Sequence, residues 1–337
     1  MMNMMNVALL RSRFVGATAW AIVLSAYVLQ PQSASAETFV RTQIHAIPTV
    51  TLTPKQFLTG DQNGKPAVVA GVLRIPGPPA ATDKLPAVIL VPGVGGPDAS
   101  HDRWAEELNS IGIAAFILDP YAGRGAFTIN DRAQLGQRTM ILDSYRALAL
   151  LAENPRIDPA RIAVMGFSLG GAAGLYSSNE RFRKMYGPNS TQFAAHIALY
   201  VGCDLIYHDD TKTTGKPIRL FHGAADDWVS IVPCRSYVER LKKAGADVTL
   251  TEFADAYHAY DNSFIATPVA LPGAPTIRNC SLEEGENGEI INSKTGKPFD
   301  GKDPCIEKGV HVGYDAAAYQ ATLKAVKDFL RGTFNIK

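Results

Sequence analysis

Short, unbroken apolar runs alternate along this chain with longer stretches of helical periodicity, and this alternation limits the fold more than any other feature. Ala67–Ile75 (AVVAGVLRI), Pro86–Gly93 (PAVILVPG), Ile113–Asp119 (IAAFILD) and Arg161–Phe167 (RIAVMGF) read as strands. So do Ala194–Gly202 (AAHIALYVG), Lys216–Gly223 (KPIRLFHG) and Ala246–Ala254 (ADVTLTEFA). Runs this apolar have little polar face to offer water, as expected of parallel strands covered on both sides. Between them, His101–Gly112, Arg132–Pro155 and Pro233–Gly245 carry apolar residues at helical spacing, and Asp315–Gly332 closes the chain as an amphipathic helix. The pattern predicts an α/β fold with a mostly parallel sheet flanked by helices. From about 262 to 312 the rhythm stops, and Gly, Pro, Asn and Asp dominate without periodicity. A long irregular segment in a compact domain is usually functional, and it reads here as an insertion before the last helix.

The strand Arg161–Phe167 runs into Gly166-Phe167-Ser168-Leu169-Gly170, a G-x-S-x-G pattern at a strand-to-helix turn. A serine there can be a helix cap, or it can be a nucleophile raised on a sharp turn. Acyl transfer by serine needs a base to take its proton and a carboxylate to orient that base, in the chain order Ser, acid, His for this architecture. Asp226 and Asp227 follow the strand ending at Gly223, and His258 follows the next one. Parallel strands bring these C-terminal ends to one rim of the sheet, where open α/β sheets bind ligands. An oxyanion site needs two donors. The N–H of Leu169, at the start of a helix, is one, and the N–H of Val94 in the glycine-rich loop Val91–Asp98 is the other.

The remaining histidines are given plainer roles. His222 reads as a turn residue, His196 as a satisfied core residue, and His101, His208 and His311 as surface or loop residues. The triplet His208–Asp210 has no companion ligands at metal-site spacing, no C-x-x-C occurs, and no metal or cofactor is expected.

Arg11 and Arg13, an uncharged run from Phe14 and the sequence Ala34-Ser35-Ala36 form the three parts of a secretory signal, with cleavage before Glu37. The expectation is therefore a signal peptide over 1–36, one domain over 37–337, and a periplasmic or secreted protein. Losing the two arginines moves the formal charge from +1 to −1. A near-neutral chain without a basic cluster gives no basis for nucleic-acid or anionic-membrane binding. In an oxidising compartment the four cysteines are expected as disulfides. Cys203 and Cys234 follow successive strands at the same rim, and Cys280 and Cys305 lie within the insertion, which predicts the pairs Cys203–Cys234 and Cys280–Cys305.

Taken in order, VAGVLRIPG, LPAVILVPGVGG, FILDPYAGRG, RIAVMGFSLGGAAG, FHGAADDWV and FADAYHAYD resemble the dienelactone hydrolase family of α/β-hydrolases across most of the chain. The resemblance implies Ser168 as nucleophile, His258 as base and Asp226 as the acid. Counting H-G-x-x-D-x-x-V from His222 lands on 226 rather than 227. It also implies that Arg124 binds a substrate carboxylate. Founding members carry cysteine in the elbow, an acid in the first glycine-rich loop and an arginine after the histidine. This chain has Ser168, Pro92-Gly93-Val94 and Ala259-Tyr260 at those places. The expectation is accordingly a serine hydrolase of small-molecule esters or lactones, with a peptidase or amidase, or a non-catalytic binding protein, as the alternatives. The oligomeric state is left open.

Overall fold

The computed structural model describes residues 40–77, 83–265 and 268–336. The expected signal segment, 1–36, lies outside them.

Nine strands come first in the chain: β1 (Val40–Thr51), β2 (Lys65–Pro76), β3 (Leu85–Val91), β4 (Ala114–Asp119), β5 (Ile157–Phe167), β6 (Ala195–Leu199), the two-residue β7 (Leu205–Ile206), β8 (Ile218–Gly223) and β9 (Val248–Phe253). All but β7 form one sheet in the order β1-β2-β4-β3-β5-β6-β8-β9. The pairs β1/β2 and β2/β4 are antiparallel and the rest are parallel. Seven α-helices accompany them among the described residues: α1 (Pro54–Thr59), α2 (Ala99–Asn109), α3 (Ile129–Ala152), α4 (Gly171–Tyr176), α5 (Glu180–Tyr186), α6 (Val232–Lys243) and α7 (Ala316–Phe334).

The apolar runs are explained by what lies on either face. Along β3, Ala87, Ile89 and Val91 join a core that includes Met140, Leu148, Ala172 and Leu241 of α3, α4 and α6. Val88 and Leu90 turn the other way, into a core with Trp104 and Leu108 of α2 and Val326 and Leu330 of α7. With helices on both sides, alternate residues are buried in opposite cores and no polar face is needed.

Three expectations need correction. The sheet has one strand more than the apolar runs indicate. β1 is an edge strand with half of its residues exposed and polar residues such as Gln43 and Thr49 on its inner face, so it carries no hydrophobic signature, and its Pro48 is tolerated at an edge. The helix expected over Arg132–Pro155 starts at Ile129 and is interrupted at Gly136, whose φ of 67° and ψ of 170° are non-helical. The segment from 262 to 312 is not irregular. It holds β10 (Val269–Thr276), β11 (Leu282–Glu284), β12 (Ile290–Asn292), β13 (Lys297–Pro298) and β14 (Glu307–Val312). These pair as β10/β14 and as β13-β12-β11-β7. Most of the strands are short, β10 and β13 are mostly exposed, and partners such as Leu282 and Leu205 are far apart in sequence, so periodicity could not reveal them. The disulfides Cys203–Cys234 and Cys280–Cys305 are both present, with Cα–Cα distances of 5.0 and 5.1 Å.

Candidate active site

Ser168 stands at the C-terminal end of β5, where the chain reverses into a single turn of 3-10 helix and then α4. Its φ is 52°, a left-handed conformation that a serine adopts only at a cost of about 1–3 kcal/mol. The flanking glycines make the reversal possible. A Cβ on Gly166 would lie 1.9 Å from the carbonyl oxygen of Gly170, and one on Gly170 would lie 2.2 Å from that of Val91. No side chain fits at either position.

The Ser168 hydroxyl lies 2.8 Å from His258 Nε2, and His258 Nδ1 lies 2.7 Å from Asp226 Oδ2. The other carboxylate oxygen, Oδ1, accepts the backbone N–H groups of Trp228 at 3.0 Å and Val229 at 2.8 Å. Asp226 is thus locked by its own loop, and both it and His258 are buried. The imidazole is also held on its faces: the Tyr200 ring meets it edge-on at 4.8 Å, and the Trp228 ring lies 5.1 Å away. Tyr200 in turn donates its hydroxyl to Asp261 at 2.7 Å, and Trp104 Nε1 donates to the same carboxylate at 2.8 Å. Burial pushes the Asp261 carboxyl up, against those two hydrogen bonds. The sequence reading does not single out Tyr200 or Trp228, although Tyr200 lies near the C-terminal end of the predicted strand Ala194–Gly202 and Trp228 follows the one ending at Gly223.

The insertion reaches this site through Trp228 and Asp227. Trp228 Nε1 donates to the Pro275 carbonyl at 3.0 Å, and Thr276 Oγ1 donates to the Trp228 carbonyl at 2.7 Å. Asp227 turns away from His258. It accepts the His311 N–H at 2.7 Å and sits 2.8 Å from His311 Nδ1, and Arg278 donates to its carbonyl at 2.6 Å. Burial raises the Asp227 carboxyl, but the bonds to His311 outweigh this and hold it low.

Gly93 brings the glycine-rich loop against the serine: a Cβ there would lie 3.1 Å from Ser168 Cβ. Its carbonyl accepts the Tyr121 hydroxyl at 2.9 Å and the Gly96 N–H at 3.0 Å. In a trans peptide the next N–H, that of Val94, points the opposite way. This N–H has no hydrogen-bond partner among the described residues, and that of Leu169 lies in the first turn of the helical segment after Ser168, where backbone donors have no partner within the helix. Two cavities meet at Ser168, of about 220 and 230 Å³, and Val94, Ile129 and Trp228 line both.

Two sequence assignments change. Arg124 is not in either cavity. Its guanidinium pairs with the fully buried Asp143 at 2.6 and 3.0 Å, and its remaining donors reach Thr51 Oγ1 (2.8 Å) and the carbonyls of Pro120 (2.7 Å) and Val50 (3.2 Å). All five N–H groups are used inside the protein, so none is left for a substrate. His101 is not a surface residue. It is 5% exposed on α2, with Nδ1 2.8 Å from Asp98 Oδ1 and its ring against Phe167, and it lines the first cavity. Burial opposes ionisation of Asp98, yet the hydrogen bonds of His101 and Ser100 lower it to about 2. The i, i+3 spacing of Asp98 and His101 is visible in the sequence and marks the capping box that starts α2. Elsewhere, His222 Nδ1 lies 3.0 Å from the Gly223 carbonyl, His196 Nδ1 lies 3.0 Å from Ser177 Oγ, and His208 is exposed.

The sequence profile of the dienelactone hydrolase family matches residues 70–266, more than half of the chain. A protein of Bradyrhizobium named a probable 2-oxo-3-(5-oxofuran-2-ylidene)propanoate lactonase is 21% identical over 206 residues, spanning 55% of this chain and 77% of its own. Among solved structures, a dienelactone hydrolase-like promiscuous phosphotriesterase from metagenomic libraries superposes with a TM-score of 0.54 at 15% identity, covering 87% of this chain and 98% of that one. Esterase 2 of Thermogutta terrifontis, phosphoramylated by tabun, gives 0.50 at 18% identity, covering 77% and 88%. At these identities the structural likeness is one of fold.

Proposed function

This chain belongs to the dienelactone hydrolase family, and we propose that it is an exported serine hydrolase that cleaves carboxylic esters or lactones through an acyl-enzyme intermediate. One observation carries the reading: the unbroken run of hydrogen bonds from Ser168 through His258 to Asp226. In this arrangement Ser168 Oγ attacks the substrate carbonyl while its proton passes to His258 Nε2. Asp226, bonded to Nδ1, fixes the tautomer that leaves Nε2 free to accept, and stabilises the imidazolium that forms. The negative charge developing on the carbonyl oxygen is received by the N–H groups of Leu169 and Val94. The imidazolium then returns its proton to the departing alkoxide, and the C–O bond breaks. Water attacks the acyl-serine with His258 again taking the proton, and release of the acid restores Ser168. With a lactone the alcohol is part of the acyl chain itself, so nothing departs in the first half and the second half releases a single hydroxy acid.

Export is supported by the basic, apolar and A-x-A parts of residues 1–36, and by two disulfides, which persist in oxidising compartments. A fluorophosphonate probe followed by a panel of aryl esters, lactones and peptide amides tests the reaction. Labelling of Ser168 with turnover of esters or lactones is expected. Turnover of amides alone would move the protein to the peptidases, and no labelling at all would make it a binding protein. Intact mass of protein recovered outside the cytoplasm should begin at Glu37, and a mass retaining 1–36 would refute cleavage there.

A further inference from the structure

The two cavities at Ser168 are not equivalent. His258 lines the first and not the second. A leaving alkoxide must take its proton from His258, so the alcohol side of an ester belongs in the first cavity and the acyl side in the second. The second is lined largely by apolar groups, among them Ile129, Ala133, Val229 and Ile277, and Asp204 lines it beside them.

Asp204 is built in from both directions. The residue before it, Cys203, is bridged to Cys234 on α6. The residue after it, Leu205, starts β7, whose ladder with β11 of the insertion begins where the Leu282 N–H donates to the Asp204 carbonyl at 3.1 Å. The side chain held this way has an oxygen, Oδ1, that is buried and has no hydrogen-bond partner among the described residues. Leaving a buried carboxylate oxygen without a donor costs about 1–3 kcal/mol, which a well-anchored site does not bear without a use. Arg278 also lines this cavity, yet it does not serve as the counter-ion. Its Nε and Nη2 go to Glu307 at 3.2 and 2.9 Å, and its Nη1 goes to the carbonyls of Asp227 and Gly309.

We propose that the second cavity is the acyl subsite and that Asp204 selects acyl chains carrying a hydrogen-bond donor, a hydroxyl or an ammonium group. The inference rests on the ester-hydrolase reading above. Burial, with the nearby Asp226 carboxylate adding to it, raises Asp204 to about 6, as for a carboxylate waiting for a partner.

The test uses p-nitrophenyl esters of five- to seven-carbon acids that end in hydroxyl, ammonium or methyl. The full-length enzyme is compared with Asp204→Leu and the isosteric Asp204→Asn. The wild type should favour a donor-ended ester over its methyl counterpart by about ten- to a hundredfold in kcat/KM at the chain length that fits. Asp204→Leu should reverse that order. Asp204→Asn should keep the hydroxyl preference, since an amide oxygen still accepts, and lose the ammonium preference. A wild-type ratio near one at every length, or a ratio unchanged in Asp204→Leu, overturns the role of Asp204 while leaving the hydrolase reading intact. No turnover of any of the esters by the wild type overturns both.

Discussion

Asp226 and Asp227 are adjacent in the chain and serve different histidines: Asp226 Oδ2 lies 2.7 Å from His258 Nδ1, and Asp227 Oδ2 lies 2.8 Å from His311 Nδ1. The first contact is buried beside Ser168, and the second ties β14 of the insertion to the loop after β8. Asp226→Asn should therefore lower kcat by about 10³ to 10⁴ with folding nearly unchanged, because the amide favours the wrong imidazole tautomer. Asp227→Asn should leave kcat within about tenfold and lower the melting temperature by loosening the insertion. Steady-state kinetics with thermal melts separate the two, and a larger kcat loss at 227 would reassign the acid.

The positive φ of Ser168 gives a prediction in which activity and stability move apart. Ser168→Ala should lower kcat by about 10³ to 10⁶, and His258→Ala should do much the same, since the two act as a unit. Alanine inherits the strained conformation at φ 52°, whereas glycine does not. Ser168→Gly should thus be equally inactive yet more stable than Ser168→Ala by about 1 kcal/mol in denaturant unfolding. A glycine variant less stable than the alanine one would mean that the turn is unstrained.

What could be read from the sequence depended on burial. The central strands were legible because covering both faces forces an unbroken apolar run, as in β3 with Ala87 to Val91. β1 was not legible, since the inner face of this half-exposed edge strand carries Gln43, His45 and Thr49 beside the buried Ile47, so no apolar alternation marks it. The insertion strands were hidden because β11, β12 and β13 are only two or three residues long, and the partners of β10 and of β7 are distant in sequence. In the site, chain order and the count from His222 singled out Ser168, Asp226 and His258, which lie within hydrogen-bond reach of one another. The same method misplaced Arg124, because a motif position says nothing about Asp143, nineteen residues away, waiting to pair with it. Asp204 escaped notice for a similar reason: an aspartate after a strand looks like a loop residue until its unpartnered oxygen is seen.

The Arg124–Asp143 pair is enclosed, with the side chains 4% and 0% exposed. Arg124→Leu leaves a buried carboxylate without its partner and should cost about 3–5 kcal/mol of stability. The double variant Arg124→Leu/Asp143→Leu removes both charges and should recover most of the loss. Denaturant unfolding of the two checks this. A variant of Arg124 that folds normally but raises KM for acidic substrates would return the residue to substrate binding.

His196 should make the protein sensitive to mild acid. Burial, with Lys216 adding to it, lowers its pKa from 6.5 to about 3, and its Nε2 is buried without a partner among the described residues. Below about pH 6.5 the unfolded chain binds a proton that the folded protein refuses, so stability falls as the pH drops toward 3. His196→Gln abolishes this contribution. The stability difference between variant and wild type should be flat above pH 7.5 and shift in the variant's favour by about 2 kcal/mol at pH 5. A difference independent of pH would show that His196 takes up its proton as readily in the folded protein as in the unfolded chain.

The two disulfides lie at different distances from the chemistry, and their removal should be felt differently. Cys203 follows β6 and Cys234 lies on the first turn of α6, so their bridge ties down the exit of the loop that carries Asp226 out of β8. Both residues are buried, and replacing them with alanine loses the crosslink and sulfur packing together. Cys280–Cys305 closes a loop of 25 residues within the insertion, while the contacts that hold Trp228 come from Pro275 and Thr276, outside that loop. Each bridge restrains the unfolded chain by about 3 kcal/mol or slightly more on loop length alone. Cys280→Ala/Cys305→Ala should therefore expose the insertion to proteolysis and leave kcat for a small ester nearly unchanged. Cys203→Ala/Cys234→Ala should lower kcat by about tenfold or more, since small displacements of the Asp226 loop misalign the His258 imidazole. Limited proteolysis alongside kinetics on both double variants decides the matter. If the kcat losses are equal, or larger for the 280–305 pair, the insertion rather than the Asp226 loop sets the geometry of the site.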